Sequence, residues 1–95
     1  MVPYVAGALG DSDDFVRRVA AEVLGDLNAK TAIPLLIDGL MDEQLHVRQA
    51  VIGALRKVSG QNIKYDEYGK KEERVKQQRL WKTWWDQNQE KILQN

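Results

Sequence analysis

Two stretches of the chain decide its fold: DDFVRRVAAEVLGDL at residues 13–27 and QLHVRQAVIGALRKV at residues 44–58. In each stretch apolar residues recur every three or four positions, which is the spacing of one face of an α-helix. When position 13 is aligned with position 44, valine, arginine and leucine fall at the same places in both stretches. The chain is therefore predicted to contain an internal helical repeat.

The same register aligns residues 1–29 with residues 32–60. The identical pairs are Pro3 and Pro34, Leu9 and Leu40, Asp11 and Asp42, Val16 and Val47, Arg17 and Arg48, and Leu24 and Leu55. Proline begins each copy, where a helix tolerates its missing N–H, and acidic residues lie where a second helix is capped. We predict a first repeat over residues 1–29 and a second over residues 30–60.

Each repeat is predicted to be a helical hairpin. The first helices are expected over about residues 3–10 and 34–41, and the second helices over about residues 14–27 and 43–58. A broad apolar stripe on each second helix is predicted to face the core. It consists of Val16, Val19, Ala20, Val23, Leu24 and Leu27 in the first repeat and of Val47, Ala50, Val51, Ala54, Leu55 and Val58 in the second.

The pattern changes after Gly60. Residues 61–69 are predicted to form a loop, and residues 70–95 a capping helix that extends to about Leu93. Trp81, Trp84 and Trp85 share one face of this helix, at the spacing i, i+3 and i+4. We predict that they cap the second repeat, because a terminal repeat otherwise exposes its core. The alternative is an aromatic recognition platform beside basic residues of the same helix, namely Lys76, Arg79 and Lys82.

Residues 13–27, together with Ala32-Ile33-Pro34-Leu35-Leu36, Asp42 and Val47-Arg48-Gln49-Ala50, resemble HEAT-like repeats. The short repeats of the phycobilisome-lyase type are the most similar. The resemblance covers residues 1–60, and the tail resembles the C-terminal segment of some bacterial proteins of this kind. It implies an all-α domain over residues 1–95: an α-solenoid of two HEAT-like hairpins plus a long C-terminal capping helix. It further implies protein binding, although the family includes some enzymes and DNA-binding members.

Composition excludes several kinds of chemistry. The 95 residues include 14 basic and 14 acidic side chains and no cysteine. A disulfide framework, a thiolate zinc site and a cysteine nucleophile are therefore impossible. No secretory signal and no apolar run of the ~18 residues that span a bilayer occur. We predict a cytoplasmic protein that does not bind membranes.

No catalytic, metal-binding or cofactor-binding residues are predicted. The segment from Asp11 to Glu22 has the length of a calcium-binding EF-hand loop, but Phe15 and Val16 stand where an oxygen ligand and a turn glycine are needed. His46 is the only histidine and has no partner at a metal-binding spacing. We expect it to be a surface or half-buried packing residue, and we expect no enzyme activity.

Arg17 and Arg48 recur in register after a valine. We predict a structural ladder, in which each arginine stem packs on a neighbouring helix and each guanidinium binds a turn carboxylate or helix-end carbonyl, with Asp11 and Asp42 as partners. The alternative is a ladder that binds an acidic ligand.

The expected function is a non-enzymatic protein–protein interaction module. The second helices of an α-solenoid line its inner surface, so the predicted partner-binding residues are Arg18, Glu22, Gln49, Gly53 and Arg56. Because the N-terminal repeat has no predicted cap, Val2, Val5 and Leu9 suggest an exposed apolar strip. It indicates homodimerisation, a chain that is a fragment of a longer array, or a partner that occupies the strip. Two alternatives are an accessory subunit of a lyase-type enzyme and a weak nucleic-acid binder. The latter would use the tail, where 8 basic and 6 acidic residues give residues 61–95 a charge of +2; we regard nucleic acid as an unfavoured partner.

Overall fold

The computed structural model describes residues 1–94 and contains only helices, turns and loops over that range. Its α-helices are α1 (Val2–Gly7), α2 (Asp14–Asp26), α3 (Ile33–Gly39), α4 (Leu45–Ser59) and α5 (Lys71–Leu93). Short 3-10 turns over Ala8–Gly10 and Lys30–Ala32 follow α1 and precede α3. The all-α solenoid architecture is therefore confirmed.

Local sequence signals account for the helix ends. Proline lies in the first turn of α1 and of α3, where no hydrogen bond is lost. The carboxylate of Asp13 caps α2 by accepting the N–H of Phe15 at 2.8 Å. Gly60 ends α4 in the left-handed conformation, with φ of 69°. The first helices of the repeats are shorter than predicted, because the chain tightens into a 3-10 turn after Gly7 and leaves the helix after Gly39.

The two hairpins stack side by side. α2 packs along α4, α1 packs on α2, and α3 contacts both α4 and α5. The largest fully buried side chains are Leu24, Ile33, Leu36, Ile37, Leu40, Val47, Val51, Leu55 and Trp81. A Cβ added to Gly25 would lie 3.1 Å from the Cα and Cβ of Ala54, so the missing side chain lets α2 and α4 approach closely.

The tail forms the third layer. Trp81 is fully buried, Trp85 is nearly so and Trp84 is half-buried; the rings of Trp81 and Trp84 meet edge to face at 6.1 Å. The side-chain amide of Gln78 donates to the backbone carbonyl of Ile37 at 2.9 Å and so ties α5 to α3. These contacts place the tryptophans inside the third layer, so that Trp81 and Trp85 present no exposed aromatic platform.

Residues 61–69 are an ordered strap across the second repeat. The hydroxyl of the buried Tyr65 donates to the carbonyl of Leu40 at 2.5 Å, and the N–H of Asp66 donates to the side chain of Gln77 at 2.9 Å. Burial raises the pKa of Tyr65, which keeps its hydroxyl protonated as a donor. The strap therefore links α3 to α5.

The predicted apolar stripe of α2 is only partly buried. Ala20 and Leu24 lie in the core, but Val19 and Leu27 are 38% and 42% exposed. The matching stripe of α4 is buried, apart from the half-buried Ala50. The difference arises because α4 has α2 against it, whereas no element of residues 1–94 covers the other side of α2.

Candidate protein-binding surfaces

Arg17 links the turn of the first repeat to that of the second. Its Nε and Nη2 donate to the two carboxylate oxygens of Asp42 at 2.8 and 3.1 Å. Its Nη1 donates to the carbonyls of Asp11 and Ser12 at 2.8 and 3.2 Å. The planar guanidinium matches the carboxylate in two parallel bonds, so this contact fixes one hairpin against the next.

Arg48 occupies the equivalent place in the second repeat but binds only carbonyls. Its Nη1 donates to the carbonyls of Asp42 and Glu43 at 2.8 and 3.1 Å, and its Nε donates to that of Glu67 at 3.0 Å. The residue is only 9% exposed. Arg17 and Arg48 therefore direct their donors into the protein. The carboxylate of Asp11, one predicted partner, instead accepts the N–H of Asp13 at 2.8 Å.

The environment of Asp42 favours its charged form. Burial raises the pKa of Asp42, but the hydrogen bonds from Arg17 and from the N–H of Gln44 outweigh it, so the pKa lies below its ordinary value. Asp42 raises the pKa of Arg17 in turn. Both side chains are mostly shielded, with 17% of Arg17 and 11% of Asp42 exposed.

We expect the Arg17–Asp42 bridge to make stability fall in acid. A lowered pKa in the folded state means that the contribution is complete above the unfolded value of about 3.9 and is lost as pH falls through the folded value. Asp42→Asn should lower the free energy of unfolding at pH 7 by about 2 kcal/mol, because it leaves Arg17 without its countercharge. Urea unfolding should show this difference shrinking below about pH 4.

The matched control for that experiment is Asp26→Asn. Asp26 also pairs between repeats, with Lys57 at 2.9 Å, but both side chains are more than half exposed. Its removal should cost less than about 1 kcal/mol. Equal losses from the two substitutions, or a difference that persists undiminished in acid, would contradict the importance of the buried bridge.

A polar groove, which we call the inner groove, runs between α2 and α4. Three of the five predicted partner-binding residues, Glu22, Gln49 and Gly53, line this groove of about 430 Å³. The other two do not. Arg18 lies over the ring of Phe15 at 4.8 Å, and Arg56 donates to the carbonyl of Tyr65 at 3.3 Å. Arg56 therefore holds the strap, and Arg18 also pairs with Glu22 at 3.9 Å. The structure thus brings three of the five predicted residues together in the groove.

An apolar groove of about 310 Å³ lies between α1 and α2. We call this surface the open face; it consists of Tyr4, Val5, Ala8, Phe15, Val16, Val19, Ala20 and Val23. Tyr4 is 88% and Phe15 57% exposed. A contiguous apolar patch with exposed aromatic rings is typical of a protein-binding site.

The open face differs from the dimer surface that the sequence predicted. Of Val2, Val5 and Leu9, only Val5 lines the groove, and all three are half-buried against the core. Helical periodicity identified apolar faces but could not tell which side of each helix the rest of the chain covers. The signal that could have found the open face is the surplus of apolar residues on α2, together with Tyr4 and Phe15.

His46 contacts the first repeat. Its Nε2 lies 2.5 Å from the Oδ2 of Asp14, and this hydrogen bond lowers the pKa of the Asp14 carboxyl. Nowhere in residues 1–94 do three or more histidine or acidic side chains gather as a metal site would require. No helix in that range combines the length and apolar character needed to cross a membrane.

Comparison with known proteins identifies the repeat. The sequence model of HEAT repeats matches residues 2–67, which include both hairpins and most of the strap. The chain belongs to the HEAT repeat family. HEAT repeats generally mediate protein–protein interactions and typically act as non-enzymatic scaffolds. Neither the curated proteins nor the solved structures contain a match to this HEAT repeat chain.

Proposed function

We propose that this HEAT repeat protein is a non-enzymatic interaction module that binds a partner protein through the open face. The observation that carries the proposal is the exposed apolar groove between α1 and α2. Its exposed lining is almost entirely apolar, whereas that of the inner groove between α2 and α4 is about half polar. Burial of apolar surface is the main driving force of most protein association, so the open face is the better binding site.

The chemistry around the groove also suits a protein partner. The aromatic rings of Tyr4 and Phe15 offer large contact areas with few rotatable bonds, a property shared by many energetic centres of protein interfaces. The guanidinium of Arg18 covers part of the Phe15 ring. An arginine beside an apolar centre supplies hydrogen-bond donors at the rim, which fixes the orientation of a bound partner.

The inner groove is a weaker candidate for a second contact. Gln49 donates to the hydroxyl of Tyr68 at 2.8 Å, and Asp26 pairs with Lys57 across the groove. A partner would have to replace these exposed polar contacts with its own. We therefore assign the inner groove a role in orientation, at the edge of an interface centred on the open face.

The test compares two exposed apolar positions. Val19→Asp puts a charge into the apolar lining of the open face, where a bound partner would bury it. Leu80→Asp is the matched control, because Leu80 is 51% exposed on α5 and lies outside the open face. Each variant and the unchanged chain are used as bait in lysate of the source organism, with recovery quantified by mass spectrometry.

We expect at least one protein whose recovery falls tenfold or more with Val19→Asp, about 1.4 kcal/mol of binding free energy, and is unchanged with Leu80→Asp. Circular dichroism must show equal helicity for the three baits. If every captured protein is lost equally with both variants, or with neither, the open face is not the binding site.

A further inference from the structure

We propose that the open face binds a HEAT-type helical hairpin of a partner protein, stacked on α1 and α2 as these helices stack on α3 and α4. The inference rests on the proposed function and specifies the structure of the partner. A second copy of this chain is not the occupant. Two independent features of the repeat support the inference. One is the repeat register of its apolar residues, and the other is the exposed carboxylate of Asp11.

Part of the open face corresponds to an existing interface, displaced by one repeat. In the repeat register, Val5, Val16, Val19 and Val23 align with Leu36, Val47, Ala50 and Ala54. Leu36, Val47 and Ala54 are at most 5% exposed and Ala50 is half-buried. Ala54 packs directly on Gly25 of α2, the helix of the preceding hairpin. Ala50 and Ala54, the counterparts of Val19 and Val23, thus lie where α4 meets the preceding hairpin.

Asp11 offers the open face a polar contact equivalent to the Arg17–Asp42 bridge. Its counterpart Asp42 binds the guanidinium of Arg17, which belongs to the preceding hairpin. Asp11 occupies the same turn, is exposed, accepts the N–H of Asp13 and forms no ion pair within residues 1–94. An arginine at the Arg17 position of an incoming hairpin would reach this carboxylate in the geometry seen at Asp42.

The same register defines the docking helix of the partner. Val19 and Val23 are larger than Ala50 and Ala54, so the incoming helix needs glycine or alanine opposite them. In this chain the corresponding surface of α2 includes Gly25, which already packs on Ala54 of α4. A second copy therefore cannot dock the small-residue surface of its own α2 in this way, which favours a partner protein as the occupant.

The probe is a hairpin of known sequence fused in register. A second copy of residues 1–31 is placed directly before Met1 of the full chain. Met1 then follows Thr31 as Ala32 does in the natural sequence, and Pro3 takes the place of Pro34. The small-residue side of the added α2 can then contact the original open face, and the added Arg17 can reach the original Asp11.

We expect the fusion to unfold in one transition, with a Tm about 5 °C or more above that of the chain alone, because stacked repeats stabilise one another. Val19→Asp in the original copy should abolish the gain, and Asp11→Asn should reduce it. The same substitutions in the added copy are matched controls that should leave the gain intact, because there they lie on the new outer surface.

Two results would overturn the inference. One is a fusion that gains no stability, unfolds in two transitions or responds equally to the substitutions in either copy. The other is an unfused chain that light scattering shows to be a dimer and that Val19→Asp converts to a monomer, since a second copy then occupies the open face. If the fusion fails but Val19→Asp still causes selective loss of a captured protein, the proposed function stands and only the hairpin inference is wrong. The failure of the inference is thus distinguishable from the failure of the proposed function.

Discussion

We expect deletion of residues 70–95 to unfold the HEAT repeat domain. The deletion removes the buried Trp81 and Trp85 and leaves the side of α3 that contacts α5, including Ile37, in water. Loss of one large buried aromatic side chain costs about 3–5 kcal/mol, whereas a domain of this size is stable by only about 5–15 kcal/mol. Circular dichroism should show a large loss of helicity beyond the 23 deleted residues of α5 and no cooperative melting.

Two point substitutions make the deletion result specific. Trp81→Ala should lower the free energy of unfolding by about 3–5 kcal/mol, because it leaves a cavity in the core. Lys82→Ala, at the exposed neighbouring position, should change it by less than about 0.5 kcal/mol. A deleted chain that keeps the helicity of α1 to α4 and melts cooperatively would show that two repeats fold without the third layer.

Arg48→Met should be the most destabilising single substitution among the charged residues. Methionine retains an apolar stem but leaves the carbonyls of Asp42, Glu43 and Glu67 without their donor. Buried hydrogen bonds from a charged group contribute about 1.5–3 kcal/mol, and unpaired buried acceptors add a penalty. We expect a loss of about 3 kcal/mol or more in urea unfolding.

Gln49→Ala is the control for Arg48→Met. Gln49 is the next residue of α4, is exposed and also bonds the strap, through the hydroxyl of Tyr68. Because water can replace that contact, its loss should cost less than about 1 kcal/mol. Equal costs for the two substitutions would mean that the hydrogen bonds of Arg48 contribute no more than an exposed contact and do not hold the strap.

Much of the fold could be predicted from the repeat, because helix periodicity and capping are local properties. The second repeat shows this best: the stripe from Val47 to Val58 is buried or half-buried, as its helical spacing indicates. The long helix containing Trp81 also extends to Leu93, where its polar and apolar pattern ends. Family membership followed from the same residues, since they carry the alignment of one repeat with the other.

The sequence predicted an uncovered apolar face on the first repeat and a loop over residues 61–69. It did not predict which residues form the open face or what the strap contacts, because both depend on contacts between distant parts of the chain. Periodicity gives α2 and α4 similar apolar stripes, but only packing shows that Val19 is exposed and Ala50 half-buried. Tyr65 lies in the predicted loop, but its hydroxyl donates to the carbonyl of Leu40, which is far away in the sequence. The signal in the sequence for this contact was Tyr65 itself, an aromatic residue in a polar loop.

The most direct test of the binding surface is site-specific photocrosslinking of the full chain. A benzoylphenylalanine at position 4 replaces Tyr4, which is 88% exposed on the open face, and a control chain carries it at Leu80 on α5. In lysate of the source organism we expect a heterologous crosslinked protein from position 4 alone, with the adduct lost when Val19→Asp is added. The same adducts from both positions, or only a covalent dimer of this chain, would contradict a partner protein on the open face.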